Sequence, residues 1–191
     1  MFERLTNSIN EKVAISQEEL EIIKSHFTPK KLRKRQYLLQ EGDICTRMAF
    51  VEKGSLISYS IDNKGVQHVM QFAFEDYWIS DLYSFFTKEP SRFNIEAMED
   101  SELLLLDWEN HHKLLNKIPP YESYTRILYQ NAYIALQRRL EGTLGQSAEE
   151  KYLNLVNQHP LILKRVPLNL IASFLGVTPE TLSRIRKQLS K

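Results

Sequence analysis

The chain has 191 residues, 42% hydrophobic and 26% charged, with a formal net charge of +1; this excludes disordered and collagen-like proteins and fits one or two globular domains. The longest strictly apolar run, Leu103 to Leu106, falls far short of the ~20 residues that cross a bilayer, and Met1-Phe2-Glu3-Arg4 carries acid early. No membrane contact and a cytoplasmic location are therefore expected. The single cysteine, Cys45, allows no internal disulfide and by itself no iron–sulfur cluster or structural zinc; it lies near an expected loop, where an unreactive thiol is the expectation.

The charge is unevenly placed. From Gly142 onward Lys151, Lys164, Arg165, Arg184, Arg186, Lys187 and Lys191 outnumber Glu149, Glu150 and Glu180, which leaves 18 basic and 21 acidic residues before that point. A C-terminal segment at +4 on a body at −3 fits an end that meets a polyanion, and equally a solvated basic tail.

In chain order, Ser16-x-x-Glu19 is a capping-box pattern ahead of Leu20, Ile22, Ile23 and Phe27, predicting a short helix over 17–27. From Leu32 to Leu106 the period changes. Short alternating segments at 36–40, 48–52, 56–61, 67–74, 93–97 and 102–107 are separated by turn signals such as Glu41-Gly42-Asp43, Lys53-Gly54-Ser55 and Asp62-Asn63-Lys64-Gly65. Many short strands imply a sandwich, jelly roll or barrel. Past Trp108 the pattern becomes helical. Pro119-Pro120 marks a helix start, and over 121–141 Tyr124, Ile127, Leu128, Tyr129, Ala132, Tyr133, Ile134, Ala135, Leu136 and Leu140 cover more than one face. A helix apolar nearly all round is buried on two sides. One side is expected on the β domain and the other on a second copy, with Tyr124, Ile127, Leu128, Asn131, Ile134 and Ala135 as the seam; a core helix in a monomer is the alternative. Gly142 and Gly145 form a candidate hinge, and Ser147-x-x-Glu150 starts a further helix ending before His159-Pro160.

The stretch 166–185 reads as a helix-turn-helix. Leu168, Ile171 and Leu175 should face Leu182, Ile185 and Leu189, Ala172 is small where the helices approach, and Gly176 permits a turn with φ > 0. Thr178 can cap the second helix and Pro179 suits its first position. Glu180, Ser183 and Arg184 fall at i, i+3 and i+4 on one face, where glutamate can accept from cytosine, arginine can donate twice to guanine and serine adapts. Thr181 lies beside them, and Arg186 and Lys187 suit phosphate. A pair of packing helices with solvated charges is the competing interpretation.

Gln40-Glu41-Gly42-Asp43 with Phe50-Val51-Glu52-Lys53-Gly54, and Leu175 through Ile185 at the end, make the chain from Ile15 to Lys191 resemble the Crp/Fnr-type transcription regulators. The resemblance implies an α+β fold: an N-terminal antiparallel β-roll or jelly roll of the cyclic-nucleotide-binding kind (1–118), a long central dimerisation helix with hinge (119–144), and a C-terminal helix-turn-helix with a reduced or absent wing (145–191). It implies no enzymatic activity and no cofactor, and as partners double-stranded DNA, a second copy and RNA polymerase, with an unidentified small-molecule effector or none. Relatives that bind cyclic AMP hold its phosphate with a Gly-Glu pair and an Arg-Ser/Thr pair, and contact the base from the central helix. The matching candidates here are Ser80, Asp81, Ser91, Arg92, Ile134 and Ala135. Ser80 replaces the glycine, Asp81 is one methylene short, Arg92 is displaced by one position, and Ile134 and Ala135 cannot hydrogen-bond a base. Loss of the cyclic AMP response is expected. A cupin-type metalloenzyme would need clustered histidines, and His26, His68, His111, His112 and His159 are not spaced for one. A partner-binding sensor with a vestigial helix-turn-helix is the remaining alternative.

Overall fold

Short alternating segments, each too brief to be stable alone, pair into two four-stranded antiparallel layers. In the computed structural model, which describes residues 1–189, the strands are β1 (Thr28–Leu32), β2 (Tyr37–Leu39), β3 (Arg47–Lys53), β4 (Leu56–Ile61), β5 (Gln67–Ala73), β6 (Trp78–Ile79), β7 (Asn94–Ala97) and β8 (Ser101–Asp107). One sheet runs β1-β8-β3-β6 and the other β2-β7-β4-β5. The register Phe50↔Leu104 and Val51↔Leu103 sits at the heart of the first sheet, and all four side chains are fully buried. Burying each such side chain is worth roughly 1.5–3 kcal/mol. The turn after β3 closes on Gly54, whose φ is +92° and where an added Cβ would come within 2.8 Å of the Asp100 carbonyl, so both conformation and space call for glycine.

Helices close the roll. α1 (Glu3–Asn10) buries Leu5 and Ile9, and its N-cap residue Phe2 offers no side-chain acceptor. The buried Glu52 carboxylate supplies one from β3, accepting from Leu5 N at 2.9 Å and Arg4 N at 3.3 Å. α2 (Gln17–Ser25) carries the expected capping box between Ser16 and Glu19. α3 (Leu82–Thr87) is capped by Asp81, and α4 (Trp108–Lys117) by Asp107. The first turns of the long helix α5 (Pro119–Gly145) are fastened by buried aromatics. Tyr124 Oη lies 3.1 Å from Ser8 Oγ and accepts from Trp78 Nε1 at 3.1 Å. His111 on α4 stands between the Tyr121 and Tyr129 hydroxyls, 2.9 Å from Nδ1 and 3.3 Å from Nε2.

The chain divides into two compact units, 1–60 with 71–130, and 61–70 with 131–191. The tip of the β4–β5 hairpin is thus grouped with the C-terminal helices, and the division falls inside α5 rather than at 118 and 144. That helix is also longer than the predicted 121–141 and runs through Gly142, which is buried and accepts from Gln146 N at 3.0 Å. No break therefore occurs at Gly142. Elements not anticipated are α1, β1, β6, α3 and the short α7 (Ile162–Arg165).

Burial, with a smaller contribution from His112, pushes the His111 pKa down from 6.5 to about 4. The ring is therefore neutral in the fold, one nitrogen donating and the other accepting. The unfolded chain takes up a proton here that the folded one refuses, so this contribution is complete above pH 6.5 and is lost as pH falls toward 4, up to roughly 3 kcal/mol. Thermal denaturation followed against pH should fall across that window, and His111→Gln should flatten the slope.

Candidate nucleic-acid interface

The C-terminal helices begin with α6 (Ala148–Gln158), behind a capping box in which Ser147 Oγ accepts from Glu150 N at 3.2 Å and Glu150 accepts from Ser147 N at 2.7 Å. After α7 come α8 (Leu168–Leu175) and α9 (Pro179–Leu189), which pack on each other and on α6. Their shared seam is Ile171, Ala172 and Leu175 against Leu182 and Ile185, with Tyr152 and Leu155 of α6 also buried. Leu168 is half-buried, and Leu189 is exposed rather than in the seam. The turn is closed by Val177 N donating to Ala172 O at 3.0 Å and Gly176 N to Ser173 O at 3.1 Å, a C-cap that needs the left-handed backbone found at Gly176, φ 71°.

Thr178 Oγ1 accepts from Thr181 N at 3.2 Å and caps α9. On the first turns of that helix Glu180, Ser183 and Arg184 are all exposed, while Leu182 and Ile185 between them are buried. The helical period thus separates a packing face from a polar face. Its own backbone N–H and the Thr178 hydroxyl hold the Glu180 carboxyl below the usual range, so it is a pure acceptor at neutral pH. Thr178, Pro179 and Lys187 are exposed, and Thr181 and Arg186 half-buried.

Of the residues matched to a cyclic nucleotide pocket, Asp81 and Ser91 are bonded to each other. Asp81 is buried, with Oδ1 accepting from Ser84 N at 3.2 Å to cap α3 and Oδ2 accepting from Ser91 Oγ at 2.7 Å. Ser91 also accepts from Phe93 N at 3.0 Å, Ser80 is half-buried, and Arg92 is exposed. Ile134 and Ala135 belong to the C-terminal unit and are exposed. A cleft of about 270 Å³ opens beside α1, lined by Arg4, Asn7, Ser8, Glu11, Lys12 and Asp76. Cys45 is buried, its thiol donates to the Arg47 carbonyl, and burial pushes its pKa up, which suits an inert group. His68 lies 2.9 Å from Asp62, and among the described residues no cluster of three metal-ligating side chains forms.

The expected seam on α5 needs correction. Tyr124 is fully buried in the core of the first unit, and Ile127 and Leu128 are half-buried, so none of the three offers a free surface like that of Asn131, Ile134 and Ala135. A different row is bare: Tyr133, Leu136, Leu140 and Leu144 are 67%, 62%, 59% and 81% exposed. Their i, i+3, i+7, i+11 spacing keeps them on one stripe of the helix, close to the heptad spacing of a coiled-coil seam. These residues were readable as apolar, but which face the roll occupies was not.

Residues 29–117 match the family model of the cyclic nucleotide-binding domain. The chain as a whole has the fold of the Crp/Fnr regulators, and the resemblance seen in sequence holds at that level. It is similar to the catabolite activator protein of Thermus thermophilus at 17% identity, covering 93% of this chain and 84% of that one with a TM-score of 0.60. For FixK2 of Bradyrhizobium japonicum the values are 19%, 86%, 84% and 0.69. For a protein assigned to the Crp/Fnr regulators from Eubacterium rectale they are 16%, 92%, 84% and 0.68. No curated protein matches the sequence. Among the described residues no helix is long and apolar enough to cross a membrane.

No atom lies within 4 Å of where a Gly176 Cβ would sit, so the cost of a side chain there is that of the left-handed backbone alone. Gly176→Ala should destabilise the helix-turn-helix by about 1 kcal/mol, read as a lower melting temperature with Ala at 176 and unchanged spectra at low temperature.

Proposed function

We propose that the chain is a dimeric, sequence-specific DNA-binding transcription regulator of the Crp/Fnr type that reads a near-palindromic operator and does not respond to cyclic AMP. The observation that carries this is the polar face of α9, where Glu180, Ser183 and Arg184 stand exposed on a capped, packed helix that follows a tight turn. An acceptor, a small adaptable hydroxyl and a fork of donors on the N-terminal turns of a second helix are what base edges in the major groove require. Thr178, Pro179 and Thr181 would border the contact, and Arg186 and Lys187 would lie toward phosphate.

Dimerisation is assigned to the bare row Tyr133, Leu136, Leu140 and Leu144; Asn131 and Ala135 lie on the opposite side of the helix and, with Ile134, fall outside this contact. Water-exposed leucines at this spacing are stabilised by a second identical helix. Two copies would then present recognition helices one DNA turn apart, ~34 Å. Insensitivity to cyclic AMP is supported by Asp81. Its carboxylate already takes the Ser91 hydroxyl, and a phosphate brought to the same hydroxyl would meet a buried negative charge.

The test is selection from random duplexes at moderate salt, with and without cyclic AMP, alongside the mass in solution. A dimer enriching the same palindrome in both samples is expected; enrichment that needs the nucleotide would overturn the ligand reading, and no enrichment in either would overturn DNA reading. Arg184→Ala should cost ~1–3 kcal/mol in operator affinity and relax one base position when the selection is repeated. Leu136→Glu should convert the dimer to a monomer by sedimentation while leaving the helical spectrum intact.

A further inference from the structure

The tip of the β4–β5 hairpin is stiffened by Asp62. Its N–H donates to Val66 O at 3.0 Å, its Oδ1 accepts from Lys64 N and Val66 N at 2.9 Å, and its Oδ2 lies 2.9 Å from His68 Nε2. This fixes the register with which β5 leaves the turn. β5 is also the last strand of its sheet, so backbone groups on its outer edge have no neighbouring strand to pair with.

Two side chains of the same unit complete that edge. The Ser173 hydroxyl, on α8, accepts from Val69 N at 3.0 Å and donates to Gln67 O at 2.6 Å, using both capacities of one hydroxyl. Arg139, on α5, donates from Nη2 to Val69 O at 3.1 Å and from Nη1 to Met70 O. Its guanidinium lies 4.5 Å from the centre of the Phe174 ring, next to Ser173 on α8. Val69 is buried, so leaving its N–H or carbonyl unpaired would be costly. Ser173 and Phe174 are not among the buried residues of the α8–α9 seam; α8 therefore offers one face to the recognition helix and another to the strand edge.

We infer that Ser173 and Arg139 are positioning residues for the DNA contact. Holding one strand edge from α8 and from α5 together, they set the angle at which α8, and with it α9, leaves the long helix. The inference rests on the DNA-binding reading above. In a symmetric dimer two reading faces must meet two half-sites at once, so an error in that angle weakens binding to a complete operator and hardly affects a single half-site.

The experiment uses the full chain with Ser173→Ala, Ser173→Thr and Arg139→Lys, the duplex enriched by the wild type, and the same duplex with one half-site scrambled. Ser173→Ala should lower affinity for the complete duplex about tenfold and for the scrambled one less than about twofold. Threonine keeps a hydroxyl and should restore binding. Lysine cannot bridge two carbonyls while lying flat on a ring, and should behave like the alanine variant. In hydrogen exchange the Val69 amide should open faster in Ser173→Ala than in the wild type. Equal loss on both duplexes, or affinity equal to or above the wild type, would overturn the positioning role. Failure of the wild type to enrich any duplex would overturn DNA reading instead; Val69 exchange indifferent to Ser173→Ala would then overturn the strand grip on its own evidence.

Discussion

Everything in this architecture depends on how the first turns of α5 are tied to the roll. The Tyr124 hydroxyl is shared between Ser8 of α1 and Trp78 of β6, and the His111 ring is held by Tyr121 and Tyr129 on successive faces of the same helix. Three aromatic residues of one helix thereby reach α1, α4 and a strand. Buried hydroxyls that found no partner would cost more than their rings gain, so the arrangement admits one rotation of the helix about its axis. Further along the same helix Tyr133, Leu136, Leu140 and Leu144 are exposed.

The same dependence explains what was legible in the sequence. Features set by neighbours in the chain could be read: the capping boxes at Ser16 and Ser147, strand β4 at its observed bounds, and α8 with its turn at Gly176. Features set by distant residues could not. α1 lacks a cap of its own and takes one from Glu52, 47 positions beyond Leu5. β1, an edge strand, shows no apolar alternation in the sequence because Pro29, Lys30 and Lys31 lie exposed along it. That Tyr124 is buried could not be read either, because an all-round apolar helix carries no local mark of which residues are covered.

Asp81 can be read in two ways, through the resemblance and through its local sequence. Its position matches a ligand-binding glutamate, yet its local sequence, an aspartate three residues ahead of Ser84, is that of a helix cap. The structure realises the cap and uses the second oxygen on Ser91. Both oxygens of Asp81 are thereby satisfied within the roll, one by the first turn of α3 and one by the Ser91 hydroxyl.

The C-terminal unit divides its labour by helical period. On α9 Leu182 and Ile185 pack, while Glu180, Ser183 and Arg184 project from the intervening positions and make no contribution to the seam. On α8 Ile171, Ala172 and Leu175 pack, while Ser173 and Phe174 address a strand edge and a guanidinium. Residues that hold the unit together are therefore distinct from those that would read DNA and from those that would aim the reader. Packing residues, exposed polar residues and the groups that hold the strand edge thus fall on different faces of the same two short helices.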